Sequence, residues 1–355
     1  MSRAVDIVFG GQYGSEGKGV IVAALANDYA IHVRVGAPNA GHTFVHKGRT
    51  WKMQTIPVGW INPNAYLMIG CGGLINPQLL QEEIEAVATV DPTIYDRLYI
   101  DGKCGVLDTN FHAAEGGVNG EMHKRIGSTG EGVGPARAAR IARDPNKFRL
   151  FRDLCRDDER FARFAGINTT VMLERAIGAG SRIMLEGAQG QGLSLIHGEW
   201  PYCTSTDPGP AQLVADVGIP MRAVNRIIAV FRSYPIRVAG ASGPLANEIT
   251  WKTLGERIGV PDLKEYTTVT HKIRRIAEWD DALLKQCVRL HGPTEIALTF
   301  ADYIAPSIRG ITTPDFTMPL WGSIHHIQII SGVKVTLVGT GMHPCNASEY
   351  SVVRM

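Results

Sequence analysis

Near the start of the chain, Gly10-Gly11-Gln12-Tyr13-Gly14-Ser15-Glu16-Gly17-Lys18-Gly19 places glycines, a lysine and a hydroxyl in one short loop. An apolar run at 6–9 precedes the loop, and an apolar helical pattern opens near Gly17. A glycine turn between strand and helix leaves backbone N–H groups unpaired at a helix N-terminus. The helix dipole and a lysine then make that turn an anion cradle suited to phosphate. The loop is not a Walker A sequence. Gln12 stands where the first glycine belongs, and Gly19 follows Lys18 in place of Ser or Thr.

Four further clusters follow. Gly36-Ala37-Pro38-Asn39-Ala40-Gly41-His42-Thr43 comes directly after an apolar run at 31–35. There His42 can donate to phosphate oxygens, and the Gly41 carbonyl can bind a hard cation such as Mg²⁺. Residues 126–135 carry Ser128 and Thr129 among glycines and lead to Arg137, Arg140 and Arg143. That arrangement suits a second phosphate, with arginines three apart on one helix face. Glu186-Gly187-Ala188-Gln189-Gly190 follows a run at 182–185, and Pro201-Tyr202-Cys203-Thr204-Ser205-Thr206 lies downstream. Gln189 offers both a donor and an acceptor, the equipment for reading a purine edge. Thr267, Thr268, Thr270, Arg274 and Arg275 gather hydroxyls and guanidinium groups that could hold a small dicarboxylate. Each cluster also has a plainer reading, as a turn, a structural histidine or a solvated basic face. Their recurrence after successive apolar runs favours ligands.

The elements that must position these loops read as α/β with a mainly parallel sheet. Short β-branched runs at 6–10, 31–35, 66–69, 182–185, 226–231, 295–300 and 333–338 alternate with helical patterns at 78–90, 147–164, 170–179, 280–291 and 323–330. In such folds ligands sit at the C-terminal ends of strands, where the glycine loops fall. The expected organisation is a single domain over 1–355, with excursions near 102–145 and 240–280; a two-domain division is the alternative. The 40 glycines exceed an average share of ~7% and concentrate in these loops, so the excess is local rather than a linker or repeat. A net charge of +2 without a basic block argues against a nucleic-acid groove. The N-terminus lacks a secretory apolar region and no run is long enough for a bilayer, so the expectation is a cytoplasmic protein without a membrane partner. Cysteines 71, 104, 155, 203, 287 and 345 show no C-x-x-C pair and read as free thiols of a reducing compartment.

Taken together, the loops resemble adenylosuccinate synthetase, whose members show G-x-Q-W-G-D-E-G-K-G, N-A-G-H-T, I-G-T-T-G-x-G-I-G-P, E-G-A-Q-G and Y-P-x-V-T-S-S in this order. The chain has GGQYGSEGKG, NAGHT, IGSTGEGVGP, EGAQG and WPYCTST, and Gly339-Thr340-Gly341 is similar to the family's S-T-G nucleotide loop. The resemblance implies the family's P-loop-like α/β architecture and a C–N ligase with Mg²⁺. The γ-phosphoryl of a triphosphate moves to O6 of a purine nucleotide, and the aspartate amine then displaces it at C6. It also implies roles. Ser15, Lys18, His42 and Gln189 are the expected catalytic set. Gly14, Ser15, Glu16, Gly17, Lys18, Gly19, Gly41, His42, Thr43, Phe300, Asp302, Gly339, Thr340 and Gly341 would bind the triphosphate, with Ser15 and Gly41 towards the metal. Ser15, Asn39, Ser128, Thr129, Gln189, Thr204 and Val238 would seat the acceptor nucleotide. Arg143 matches the arginine lent to a partner's site, which implies a homodimer. The 267–275 segment corresponds to the aspartate loop, with Ile273 interrupting its arginine run.

Two departures bear on the substrates. Family members acting on IMP have an aspartate at Ser15, which takes the N1 proton and contacts Mg²⁺. A serine hydroxyl is a poor general base without an activating partner. It is smaller, leaving space beside C2, and it can accept a hydrogen bond from an amine there. The resemblance therefore narrows to the viral branch, the N6-succino-2-amino-2′-deoxyadenylate synthases, with dGMP and L-aspartate as substrates and a host cytoplasm as the setting. Alternatives are an IMP-dependent, GTP-using enzyme and an inactive purine-nucleotide-binding protein. Secondly, Phe300 replaces the lysine of the family's Lys-x-Asp stretch. An aromatic ring stacks on either purine, so ATP or dATP is expected as donor, while Asp302 leaves GTP open.

Overall fold

The computed structural model describes residues 3–117, 120–266, 273–343 and 346–355. Its central sheet has nine strands: β1 (Val5–Gly10), β2 (Ile31–Arg34), β3 (Tyr66–Ile69), β4 (Leu98–Ile100), β5 (Ile183–Gly190), β6 (Val224–Arg232), β7 (Glu295–Thr299), β8 (Val335–His343) and β9 (Asn346–Arg354). Their spatial order is β9-β8-β7-β6-β1-β5-β2-β3-β4. All neighbours run parallel except the β8–β9 pair. The family-type α/β expectation holds.

Helices on both faces explain why the central strands β1, β2, β5, β6 and β7 are largely apolar, with charges such as Asp6, Arg34, Glu186 and Arg232 buried in ion pairs or hydrogen bonds. Side chains of β1 alternate between two cores. Val5, Ile7 and Phe9 pack with Leu213, Leu284 and Ile324, whereas Val8 packs with Ile21, Phe44 and Trp60. Strand β5 returns between β1 and β2 after the chain has built β3 and β4, and β6 then pairs on the far side of β1. The C-terminal ends of β1, β2, β5, β6 and β7 therefore open together, and a ligand crevice belongs there.

Several elements depart from the sequence pattern. The expected helix at 147–164 is broken into Phe151–Asp157 and a 3-10 turn, Glu159–Phe164. Asp158 caps the second piece by accepting from Arg160 N, so the periodicity conceals a stop and restart. The helix expected at 323–330 starts earlier, as Met318–Ser331, with Pro319 in its first turn. The hairpin His42–His46/Arg49–Met53 and strand β9 were not anticipated; both carry many polar residues and give a weak alternating signal. The excursion near 240–280 holds the helix Trp251–Ile258 and most of a three-stranded sheet, Ile236–Arg237, Arg275–Ala277 and Glu248–Ile249. Among the described residues, no helix is long and apolar enough to cross a membrane. Cys71, Cys104, Cys155, Cys203 and Cys287 are free thiols; Cys345 lies outside the described residues.

Candidate active site

The loop after β1 is held by contacts that the glycines alone make possible. A Cβ on Gly10 would lie 2.5 Å from the Gln189 carbonyl oxygen and 2.6 Å from the Glu16 carboxylate. One on Gly19 would meet the His42 Cβ at 3.0 Å, so helix α1 (Lys18–Leu25) can approach the 42–43 segment only with glycine there. Gln12, the residue that breaks the Walker pattern, pairs with the end of β6. Its amide donates to the Arg232 carbonyl at 3.0 Å and accepts from Arg232 N at 2.9 Å. Ser15 adopts φ 59° and is exposed, an uncommon left-handed conformation for a non-glycine residue.

Lys18 is buried, yet only part of its donor capacity is used. Its Nζ donates to Glu16 Oε2 at 2.7 Å and to the Gln189 carbonyl at 2.7 Å, leaving one of three N–H bonds for a ligand. Gln189 reaches this place through φ 63° at the end of β5. The Glu16 side chain turns away from the cavity. It is 0% exposed, stands outside the cavity lining, and accepts from Lys18 and from the amides of Gln12 and Gly14. It positions the lysine and consumes amides that a phosphate would otherwise use.

His42 belongs to a buried triad that sequence reasoning left incomplete. Its Nδ1 lies 2.6 Å from Glu186 Oε1, and the same oxygen accepts from Arg34 Nη1 at 2.7 Å. Arg34 also donates to the Ala40 carbonyl, and Val58 N to Glu186 Oε2. Burial, with Arg34 adding to it, lowers the His42 pKa from 6.5 to about 4 against the pull of Glu186. For Glu186, burial works upwards but Arg34 and His42 prevail, taking it from 4.5 to about 2. The imidazole is then neutral near pH 7, with Nδ1–H donating to the carboxylate. Its Nε2 is buried with no hydrogen-bond partner among the described residues. The signal for this triad was a charged residue at the end of each apolar run, Arg34 on β2 and Glu186 in β5.

Both depressed values have the same sign for stability. A group whose folded pKa lies below its unfolded value stabilises above the unfolded value, and that contribution is lost as pH falls through the folded one. For His42 the window is pH 6.5 to about 4, and for Glu186 it extends from 4.5 to about 2. Stability should therefore fall on acidification, with His42 accounting for up to about 3 kcal/mol above pH 4. Denaturant titrations from pH 7 to 4 should show a shallower loss for His42→Asn; an identical slope would mean that His42 does not titrate in that range.

One cavity of about 760 Å³ gathers most of the expected residues. This lies in the upper part of the ~300–1,000 Å³ range of small-molecule sites. Its walls include Gly14, Ser15, Gly17, Lys18, Gly19, Asn39, Gly41, His42 and Thr43 from the first loops. Ser128, Thr129, Gln189, Thr204 and Val238 follow from the middle of the chain, and Arg274, Phe300, Asp302, Gly339 and Gly341 from the end. Ser128 also donates to the Glu115 carboxylate.

Other expected residues fall elsewhere. Thr340 is fully buried and its hydroxyl donates to the Ile311 carbonyl at 2.9 Å, between the lining residues Gly339 and Gly341. Arg143 ends the helix Val133–Ala142 with φ 58°, exposed and outside the cavity lining. Arg275 is likewise outside the lining. Its guanidinium is paired with Glu248 at 2.9 and 2.6 Å and donates to the Gly243 carbonyl. Thr267, Thr268 and Thr270 lie outside the described residues.

A second network escaped the sequence reading. Arg232, 0% exposed at the end of β6, donates to Glu265 at 2.6 Å and 3.2 Å and to the Ser15 carbonyl at 3.4 Å. Its guanidinium carbon lies 3.9 Å from the Phe300 ring centre. Glu265 also accepts from Tyr303 at 2.9 Å and stands 3.7 Å from Arg274. Burial works to raise the Glu265 pKa, but Arg232 holds it below its ordinary value. A charge closing the apolar run of β6 was the available signal. The network fixes Phe300 beside Asp302, whose pKa is raised by burial. Asp302 Oδ2 accepts from Arg309 at 3.1 Å, while Oδ1 has no hydrogen-bond partner among the described residues. A ring beside a carboxylate with an open acceptor can stack on a purine and take its N–H donors.

Comparison with known proteins gives likenesses that span most of the chain. The family model for adenylosuccinate synthetase matches residues 7–167 and 149–309. The adenylosuccinate synthetase of Methanococcus maripaludis strain C5 is 36% identical over 339 residues, covering 94% of this chain and 96% of that protein. The N6-succino-2-amino-2′-deoxyadenylate synthase of Vibrio phage phiVC8 is 38% identical over 315 residues, covering 86% and 88%. Among solved structures, the cyanophage S-2L succinoaminodeoxyadenylate synthetase, bound to dGMP and to dATP as energy donor, superposes with a TM-score of 0.80 at 29% identity, covering 96% of this chain and 93% of that one. Fully ligated adenylosuccinate synthetase from Plasmodium falciparum gives 0.84 at 20% identity over 100% of both chains, a likeness of fold.

Proposed function

Because the chain belongs to the adenylosuccinate synthetase family of C–N ligases, we propose that it joins L-aspartate to C6 of dGMP at the expense of ATP or dATP. The observation that carries this reading is Ser15, a neutral, exposed hydroxyl on the cavity wall at the motif position that holds an aspartate in the IMP-using pattern. The phage relative and the dGMP-bound cyanophage structure support it.

In the first step the bond from the γ-phosphorus to the β-bridging oxygen breaks as the O6–phosphorus bond forms, and the N1 proton passes to water or to a phosphate oxygen. In the second, the aspartate amine attacks C6, the C6–O6 bond breaks, inorganic phosphate departs and the amine gives up a proton. Lys18 places its remaining N–H and its charge beside the transferring phosphoryl group. The Nε2 of His42 faces the same group and, once protonated, pairs with it while Glu186 retains Nδ1–H. Gln189 reads the acceptor base, and Asn39, Thr129, Thr204 and Val238 line its seat. Phe300 and Asp302 take the donor base, and Arg274 the aspartate carboxylate. Mg²⁺ fits the donor set, since the Ser15 hydroxyl and the Gly41 carbonyl are hard oxygen ligands on the cavity wall and phosphates and water can complete the shell. When bound it would neutralise negative charge on the triphosphate. Arg143, exposed at its helix end, is proposed to reach the partner's cavity in a homodimer.

The test supplies dGMP, GMP and IMP separately, each with L-aspartate and with ATP, dATP or GTP, and measures product. The expected result is turnover of dGMP with an adenine donor. Preference for IMP would overturn the acceptor, and more than about tenfold preference for GTP, roughly 1.4 kcal/mol, would overturn the donor. Nucleotide binding without product from any pair would leave only a binding protein.

A further inference from the structure

A second, much smaller cavity of about 20 Å³ lies directly behind the acceptor side of the main one, with which it shares Asn39, Gln189 and Thr204. Its far wall is formed by Arg137, Asp216 and Thr206. Arg137 is unusual among the arginines here. It forms no ion pair within 4.0 Å among the described residues, and its Nε is buried without a hydrogen-bond partner. The nearby Asp216 carboxylate accepts from Gln212 at 2.8 Å through Oδ1 and acts on Arg137 through its charge, without an ion pair within 4.0 Å. A half-buried guanidinium whose Nε is cut off from water and unpaired favours an anion close by. The volume holds about one water molecule, too little for a phosphate but enough to relay a hydrogen bond.

We propose that Arg137 is a positioning residue for the 5′-phosphate of the acceptor nucleotide, acting from behind the Asn39–Thr204 wall through a single water. The inference rests on the reading of the main cavity as a purine-monophosphate site, and it adds to that site a positive charge contributed by the chain's own helix Val133–Ala142. Arg137 and Arg143 share this helix, but only Arg137 borders the shared wall.

The test measures binding of dGMP and of deoxyguanosine, together with steady-state kinetics, in the full-length protein. Arg137→Gln is expected to raise the KM for dGMP about tenfold or more, leave deoxyguanosine binding and the triphosphate KM unchanged, and leave kcat within about twofold. Arg137→Lys should recover part of the loss. Equal weakening of dGMP and deoxyguanosine, or an unchanged dGMP KM, would overturn the proposal. Should Arg137→Gln fail to fold, Asp216→Asn supplies a second reading. Removing that competing carboxylate should tighten dGMP two- to fivefold without affecting deoxyguanosine, and no change in dGMP would count against Arg137. If the chain proves to prefer IMP, the same comparison with IMP and inosine tests Arg137 while the dGMP assignment fails separately.

Discussion

Lys18→Ala is expected to lower kcat by about two to three orders of magnitude, the loss typical of removing one preorganised donor from developing negative charge. The KM for the acceptor should change little if, as proposed, the ammonium acts on the phosphoryl group in transit and not on the purine. A complication comes from Glu16, which is 0% exposed and 2.7 Å from the Lys18 ammonium. Removing the lysine leaves a buried carboxylate without its counter-charge, at a cost of about 3–5 kcal/mol in stability. The two effects separate in the double variant Glu16→Gln/Lys18→Ala, which should recover stability and not rate. Steady-state kinetics and denaturant midpoints on all three proteins check this. If the double variant regained wild-type turnover, Lys18 would be a structural counter-ion and nothing more.

Ser15→Asp carries the second large effect. The position already holds φ 59°, a conformation that aspartate tolerates better than most residues, so the backbone should accept the change. The longer side chain fills the space left beside C2 of the acceptor and brings a carboxylate able to take the N1 proton. Turnover of dGMP should drop tenfold or more, about 1.4 kcal/mol at least, and IMP should become a substrate. Measuring kcat/KM for both nucleotides on the wild type and the variant checks the prediction. Indifference of both ratios would mean that residue 15 does not face the acceptor base.

The parts of this fold that could be read from sequence were those governed by local pattern. Apolar runs such as 31–35 and 66–69 correspond to strands within a residue, because buried parallel strands are apolar on both faces. Loops rich in glycine fell at strand ends, and the cavity draws on nearly all of them. What was not legible depends on residues distant in the chain. Glu186 accepts from Arg34 across 152 positions, and the Arg232 backbone pairs with the Gln12 side-chain amide across 220. Neither pairing has a periodic signature, although a charged residue at the end of an apolar run was a usable sign of both. For Glu16, the place in the phosphate loop did not reveal that its carboxylate is folded inwards under Lys18. Thr340, similarly placed between two lining glycines, turns its hydroxyl to Ile311 because strand neighbours alternate in direction.

The most direct test of the central claim, that triphosphate and dGMP react with each other in one cavity, follows the oxygen at C6. The chain would be supplied with dGMP carrying ¹⁸O at O6, together with ATP and L-aspartate, and the products analysed by mass spectrometry. One ¹⁸O atom in the inorganic phosphate for each aspartate coupled is the predicted result. Label released to water, or left in unreacted dGMP while the triphosphate is hydrolysed, would contradict it.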